Sequence, residues 1–157
     1  MKKLSVDIIR FLENQGFVIV STIDGNGGVH NSCKGIVKIN QKGEIYLLDL
    51  YRGKTYENLK ANPRISITAV DEHKFMGFCL QGKAKEMTEA KLIPQLIKSW
   101  DERVASRLTR RLLKNIHEEK GHPRHPEILL PKPEYLIVMG VEDIIDLTPH
   151  PLKWKQE

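Results

Sequence analysis

Cysteine is scarce in this sequence, with two residues, Cys33 and Cys79, in a chain of 157. Two cysteines can build neither a disulfide framework nor a four-cysteine zinc site, so we expect a reducing, cytoplasmic compartment. Aromatic residues make up only 6%. No apolar run approaches the roughly 18–20 residues of a membrane-spanning helix, and no long apolar stretch follows the basic Lys2 and Lys3, as a secretory signal would require.

Positive charge also exceeds negative charge only mildly. There are 25 basic and 20 acidic residues, a net charge of +5. Much of the basic excess falls within residues 103–124 at helical spacing, which favours a solvated helix face over a nucleic-acid site. The length suits one domain, over residues 1–157, with a full hydrophobic core.

The first half of the chain alternates between β-rich segments and turns. Residues 17–23, 29–39, 44–50, 64–70 and 75–87 are rich in β-branched and apolar side chains, which predicts five strands. The turns at 24–28 and 40–43 carry glycine and asparagine, and Gly77 and Gly82 are candidate bulges. Five strands within roughly 70 residues, joined mostly by tight turns, predict an antiparallel barrel.

Helical patterns interrupt and flank these strands. One helix is predicted over residues 4–15, capped by Ser5, and another over 54–61, ended by Asn62 and Pro63. Apolar spacing over 88–120 predicts a helical insert, about 88–121, before a final strand at 135–141. Residues 142–147 either extend that strand or form a partner for it. The fold class is therefore mainly β with helices.

One loop has the composition of an anion site. Arg52-Gly53-Lys54-Thr55 lies between the third strand and the following helix. A helix start presents free N–H groups and a positive dipole end, and the two cations, the glycine and the hydroxyl add what a phosphate needs. A basic turn with a purely structural role has the same pattern, so both interpretations remain open at this point.

Other catalytic patterns are missing. No nucleophile elbow, Walker loop, metal-binding helix motif or dinucleotide fingerprint occurs, so no catalytic residue is assigned. The histidines at 117, 122 and 125 follow no zinc spacing, and we predict no metal site.

Four segments together carry a family resemblance: the hairpin at 22–30, the strand at 45–49, the run at 54–66 and residues 81–84. The specific part is the spacing of Lys54, the pair Asn58-Leu59 and the pair Asn62-Pro63. In these features the stretch 17–87 resembles the pyridoxamine 5'-phosphate oxidase-like, FMN-binding split-barrel family. The resemblance implies an antiparallel split β-barrel with an N-terminal helix, and a homodimer that holds FMN at the subunit interface.

The resemblance also implies roles for particular residues. Lys54 and Arg52 would hold the FMN phosphate with help from Thr55, and Gln81 would reach the flavin across the dimer. Two groups of residues would line the ring and the ribityl chain: Asn31, Ser32, Cys33 and Lys34 on one side, and Asp49, Leu50 and Tyr51 on the other. Gly53 stands where the oxidases tend to have arginine, and their C-terminal substrate-binding pattern is absent. A pyridoxamine phosphate oxidase proper is therefore not expected.

The sequence leaves three candidate functions. The first is an FMN-dependent oxidoreductase that passes hydride or electrons to a small substrate. The second is a non-catalytic flavin, haem or deazaflavin carrier on the same barrel. The third is a nucleic-acid-binding barrel, against which the scarcity of aromatic residues for base stacking counts.

Overall fold

A six-stranded antiparallel barrel forms the body of the protein. The computed structural model describes residues 1–88 and 135–150, together with positions 94, 98, 99, 101, 102, 105 and 106. The strands close in the order β1-β2-β3-β6-β5-β4, which confirms the predicted split β-barrel. The elements are α1 Val6–Glu13, β1 Val18–Ile23, β2 Val29–Ile39, β3 Glu44–Asp49, α2 Lys54–Ala61, β4 Arg64–Asp71, β5 Met76–Thr88 and β6 Tyr135–Asp146.

The core follows from alternation along the strands. In β1, Val18, Val20 and Thr22 are buried while Ile19 and Ile23 are exposed, as the period of two in a strand requires. The same inward phase in the other strands supplies the remaining barrel core, which includes Ile36, Ile45, Leu47, Ile67, Leu80, Ile137 and Met139.

Both helices are fixed to the barrel, α1 by apolar side chains and α2 by a hydrogen bond to β1. Ser5 caps α1, and its hydroxyl accepts a hydrogen bond from the Ile8 backbone N–H at 3.3 Å. Phe11 and Leu12 then bury their side chains in the core. On α2, the buried Asn58 donates its amide to Thr22 Oγ1 at 3.0 Å. This bond fixes α2 against β1.

The last strand settles two predictions about the far end of the chain. Residues 142–146 continue β6, so the segment extends the strand and forms no partner for it. The register between β5 and β6 shifts between Gln81, which pairs with Asp143, and Gly82, which pairs with Val141. The extra residue is therefore Glu142 on β6, so the irregularity predicted at Gly82 lies on the partner strand opposite it. A Cβ at Gly82 would lie 2.1 Å from the Gly140 carbonyl oxygen, so the close approach of β6 at this point needs glycine. Gly77, by contrast, pairs with Val70 in an unbroken β4–β5 register and forms no bulge against β4.

Most of the predicted helical insert, about 88–121, lies outside the described residues. Its first residue, Thr88, is not helical but ends β5. The other described positions are helical, and Lys98 pairs with Glu102 across one turn at 3.9 Å. None of the helices that the structure describes is both long and apolar enough to cross a membrane. The single-domain assignment over 1–157 stays a prediction.

Candidate functional site

The turn between β3 and α2 leaves a helix start open to a ligand. The Gly53 N–H bonds the Tyr51 carbonyl at 2.8 Å, and α2 begins at the next residue. Gly53 occupies the N-cap position and has no side chain with which to cap the first-turn N–H groups. A Cβ added at Gly53 would meet nothing within 4 Å. An anion can therefore approach this helix start closely.

The two cations of the turn are held very differently. The Arg52 guanidinium lies over the rings of Tyr56 and Tyr135, at 5.4 and 5.8 Å from their centroids. It also lies 3.9 Å from the Glu86 carboxylate. Lys54 is paired with Glu57 at 3.9 Å, and both side chains are more than half exposed. Because an exposed pair of this kind is weak, Lys54 is the cation that an incoming ligand can recruit.

The Asp24 carboxylate, in the turn between β1 and β2, interacts electrostatically with Lys54. Backbone N–H groups of Gly28 and Asn26 bond the Asp24 carboxylate and lower its pKa, and the positive charge of Lys54 lowers it further. The β1–β2 turn therefore lies close enough to the start of α2 for the two to influence each other electrostatically.

Two of the predicted site residues join β2 to α2. Ser32 Oγ and Thr55 Oγ1 are 3.1 Å apart and share a hydrogen bond. Thr55 is buried at 4% exposure. Its hydroxyl thus contacts Ser32, and in this geometry it fixes the start of α2 on the barrel.

Lys34 and Asp49, predicted to line opposite walls, meet inside the barrel. Lys34 Nζ bonds Asp49 Oδ1 at 2.6 Å, and the Tyr135 hydroxyl donates to Asp49 Oδ2 at 2.5 Å. The Lys34 and Asp49 side chains are 8% and 7% exposed, and Tyr135 is 1% exposed. We call these three residues the buried polar cluster. Burial raises the pKa of Tyr135 strongly, and the Asp49 carboxylate raises it further, so Tyr135 remains a hydrogen-bond donor.

Three more of the predicted residues lie on the outer surface of the barrel. Asn31 and Cys33 are exposed on β2 and Gln81 on β5. Asn31 opposes Ser21, Ser21 opposes Ser66 and Ser66 opposes Gln81, which makes a polar row across four strands. At about 4.8 Å per strand, Asn31 and Gln81 are roughly 14 Å apart. Within one chain, therefore, Gln81 does not join the β2 residues.

A groove of about 380 Å³ runs over part of this surface. Its polar lining is Ser21, Ser66, Gln81 and Arg64, and its apolar lining includes Ile23 and Val29. The remaining predicted residues lie between β3 and α2: Tyr51 is exposed, and Leu50 is half-buried against a small apolar cluster that contains Leu48 and Leu136.

The sequence reasoning overlooked Tyr135, Tyr56 and Glu86. Tyr135 opens the final strand and gave no local signal, because its partners Asp49 and Arg52 are more than 80 positions away in the chain. The inward direction of Lys34 did have a signal, since it is two residues before Ile36 on the same strand and shares its face.

Metal ligands do not cluster in the described part of the chain. Across residues 1–88 and 135–150, no three histidine, cysteine, aspartate or glutamate side chains come together as a metal site would require. His117, His122 and His125 lie outside the described residues.

Comparison with known proteins gives one family and one fold. The family model for pyridoxamine 5'-phosphate oxidase matches residues 7–128, more than half of the chain. No curated protein sequence matches this one.

Solved structures share the fold at low sequence identity. HupZ from Group A Streptococcus aligns with a TM-score of 0.65 at 18% identity, covering 92% of this chain and 95% of its own. An FMN-binding protein from Syntrophomonas wolfei aligns at 0.61 and 14%, covering 91% and 88%. HutZ, the haem storage protein from Vibrio cholerae, aligns at 0.52 and 17%, covering 92% and 94%. At such identities the likeness concerns the fold, on which proteins with different ligands are built.

Proposed function

This chain belongs to the pyridoxamine 5'-phosphate oxidase family, and on that premise we propose that it binds FMN and acts as an FMN-dependent oxidoreductase. Bound FMN would supply hydride or electron transfer to a small substrate. The protein's part is to bind and orient the flavin. The FMN-binding relative from Syntrophomonas wolfei supports the choice of flavin.

The observation that carries the proposal is the open start of α2. Lys54 is exposed, Gly53 leaves open space in front of the backbone, and the first-turn N–H groups have no capping side chain at the N-cap. A phosphate placed there would gain a charge-assisted bond from Lys54 and bonds from backbone N–H groups. The residues present thus fit the phosphate of FMN.

Replacing Lys54 tests this assignment. Lys54→Ala should weaken FMN binding roughly tenfold to a hundredfold, because a charge-assisted contact contributes roughly 1.5–3 kcal/mol. Riboflavin has the same ring without the phosphate, so its affinity should hardly change. Both ligands are titrated by quenching of flavin fluorescence.

Lys74→Ala is the matched control, since Lys74 is also an exposed lysine that pairs with a carboxylate three residues away, Asp71, at 3.7 Å. It should leave both affinities unchanged. Equal losses of FMN and riboflavin in Lys54→Ala would contradict the phosphate assignment. The visible spectrum of the purified protein addresses the alternatives, because haem and deazaflavin have bands distinct from those of FMN.

We also propose that the protein is a homodimer formed through the outer surface of β1, β2 and β4. Ile19, Val29 and Val70 expose 46%, 71% and 57% of their surface there, and an apolar surface of this kind is typical of an interface. A second copy on this surface would bring its Gln81 towards the β2 residues that are distant from Gln81 within one chain. The flavin ring would then lie at the interface.

The oligomeric state is measured by light scattering at micromolar concentration. We expect about 36 kDa, twice the chain mass of 18.1 kDa. Ile19→Glu should shift the mass to that of one chain, because it places a charge in the apolar contact. Val6→Glu alters an equally exposed apolar residue on α1 and should leave the dimer intact. A wild-type mass of about 18 kDa with FMN bound would contradict the dimer.

A further inference from the structure

We propose that Arg52 is a positioning residue that holds the phosphate-binding turn in place by stacking on Tyr56 and Tyr135, and that it is not itself a ligand of the phosphate. The inference rests on the proposed FMN site, because it makes Lys54 the ligand of the phosphate there and Arg52 the residue that positions the turn. We call residues 51–54 the phosphate-binding turn.

The stacking surface under Arg52 is fixed from inside the barrel. The Tyr135 hydroxyl bonds Asp49, which in turn bonds Lys34, and all three side chains are buried. The Tyr56 ring meets the Tyr135 ring edge to face at 5.2 Å. Two rings held in this way present one rigid aromatic corner, to which a guanidinium is attracted by cation–π and stacking contacts.

The phosphate-binding turn is held in place by its contact with these two tyrosine rings. Its internal hydrogen bond, from the Gly53 N–H to the Tyr51 carbonyl, closes only a three-residue ring. Arg52 is the side chain of the turn that reaches back over both tyrosines and towards Glu86. To bind a phosphate in front of Gly53, the guanidinium would have to leave two rings and a carboxylate. Lys54, whose ion pair among the described residues is with the exposed Glu57, would lose much less on binding a phosphate.

A double-mutant cycle separates positioning from direct contact. Arg52→Gln should weaken FMN binding about fivefold in the wild-type background, the loss expected from removing a cation–π contact. In the Tyr56→Leu background the same change should cost less than about twofold, because the surface on which Arg52 acts has already been damaged. If Arg52 contacted the phosphate directly, the loss would be the same in both backgrounds, and that result would overturn the proposal.

Hydrogen exchange on the flavin-free protein gives a readout that does not depend on FMN. Arg52→Gln should raise amide exchange several-fold in the segment 50–57 and leave β1 unchanged. Lys60→Gln is the control, since Lys60 also lies over the Tyr56 ring, at 5.2 Å, but belongs to the last turn of α2. It should leave exchange in segment 50–57 within about twofold of wild type.

The two proposals can fail separately. If the wild-type protein bound no FMN, the proposed function would fail, and exchange in segment 50–57 would still decide the role of Arg52. If Arg52→Gln left that exchange unchanged, the positioning role would be overturned, even with FMN bound tightly.

Discussion

The buried polar cluster and the proposed phosphate-binding turn contain similar residues but hold them in opposite ways. Each contains a lysine and lies at or just after the end of β3. In the cluster, Lys34 and Asp49 are more than nine-tenths buried and 2.6 Å apart. In the turn, Lys54 and its partner Glu57 are more than half exposed and 3.9 Å apart.

The difference shows what burial does to a charge. Inside the barrel, each charged group has lost its water and depends on its protein partner, so removing one partner leaves the other uncompensated. In the turn, water solvates Lys54 whether or not Glu57 is present. We therefore expect the cluster to govern stability and the turn to govern ligand binding.

The largest expected effect comes from breaking the buried pair. Asp49→Ala should lower the free energy of unfolding by about 3–5 kcal/mol, because it leaves the Lys34 ammonium buried without a counter-charge. Urea unfolding followed by circular dichroism measures the loss.

The matched control is Asp143→Ala, which removes an aspartate that bonds Lys2 at 2.9 Å while both side chains are at least half exposed. That change should cost less than about 1 kcal/mol. Equal losses in the two variants would mean that burial does not distinguish the cluster from a surface pair.

Much of the barrel could be predicted from sequence because local patterns specify it. The alternation in β1, the glycine-rich turns and Asn62-Pro63 after α2 each have a direct structural meaning, and the elements appear within a few residues of their predicted bounds. The open helix start at Lys54 was predictable for the same reason, since a glycine N-cap and a following lysine are adjacent in the chain.

The buried polar cluster could not be predicted in the same way. It joins β2, β3 and β6, and Tyr135 lies 86 positions from Asp49. The inward direction of Lys34 follows from its spacing to Ile36, but its meeting with Asp49 and Tyr135 depends on the closure of the barrel, which places β3 between β2 and β6. The likeness to flavin proteins assigned Lys34 and Asp49 to a ligand, whereas in this structure each has the other as its partner.

A smaller effect should appear at high pH through Tyr135. Burial and the Asp49 carboxylate raise the pKa of Tyr135 above its ordinary value of 10. The unfolded chain therefore loses this proton from about pH 10 upwards while the folded chain keeps it, so stability is full below pH 10 and falls as the pH rises. The group should contribute a loss of about 1.4 kcal/mol per pH unit above that point.

Comparison with Tyr135→Phe isolates this contribution. The variant lacks the hydroxyl, so the difference in unfolding free energy between wild type and variant should shrink as the pH rises from 10 to 11. Lysine titration affects both proteins alike and cancels in the difference. A difference that stays constant over that range would show that the Tyr135 hydroxyl titrates normally in the folded protein.

The smallest expected effect is on the free energy of unfolding, and it should differ in sign between the two ends of α2. Lys54 occupies the first turn of the helix and Lys60 the last. A cation opposes the helix dipole at the first turn and favours it at the last, by about 0.3–1 kcal/mol at an exposed site.

Lys54→Ala should therefore leave the free energy of unfolding unchanged or raise it by a few tenths of a kcal/mol, while Lys60→Ala should lower it by a similar amount. Both changes introduce alanine into the same helix, so the gain in helix propensity cancels when the two variants are compared. A residue that adds nothing to stability but strongly affects FMN binding is what a ligand contact requires. If Lys54→Ala instead destabilised the fold more than Lys60→Ala, the turn would belong with the buried polar cluster as a structural element, and its exposed lysine would need another explanation.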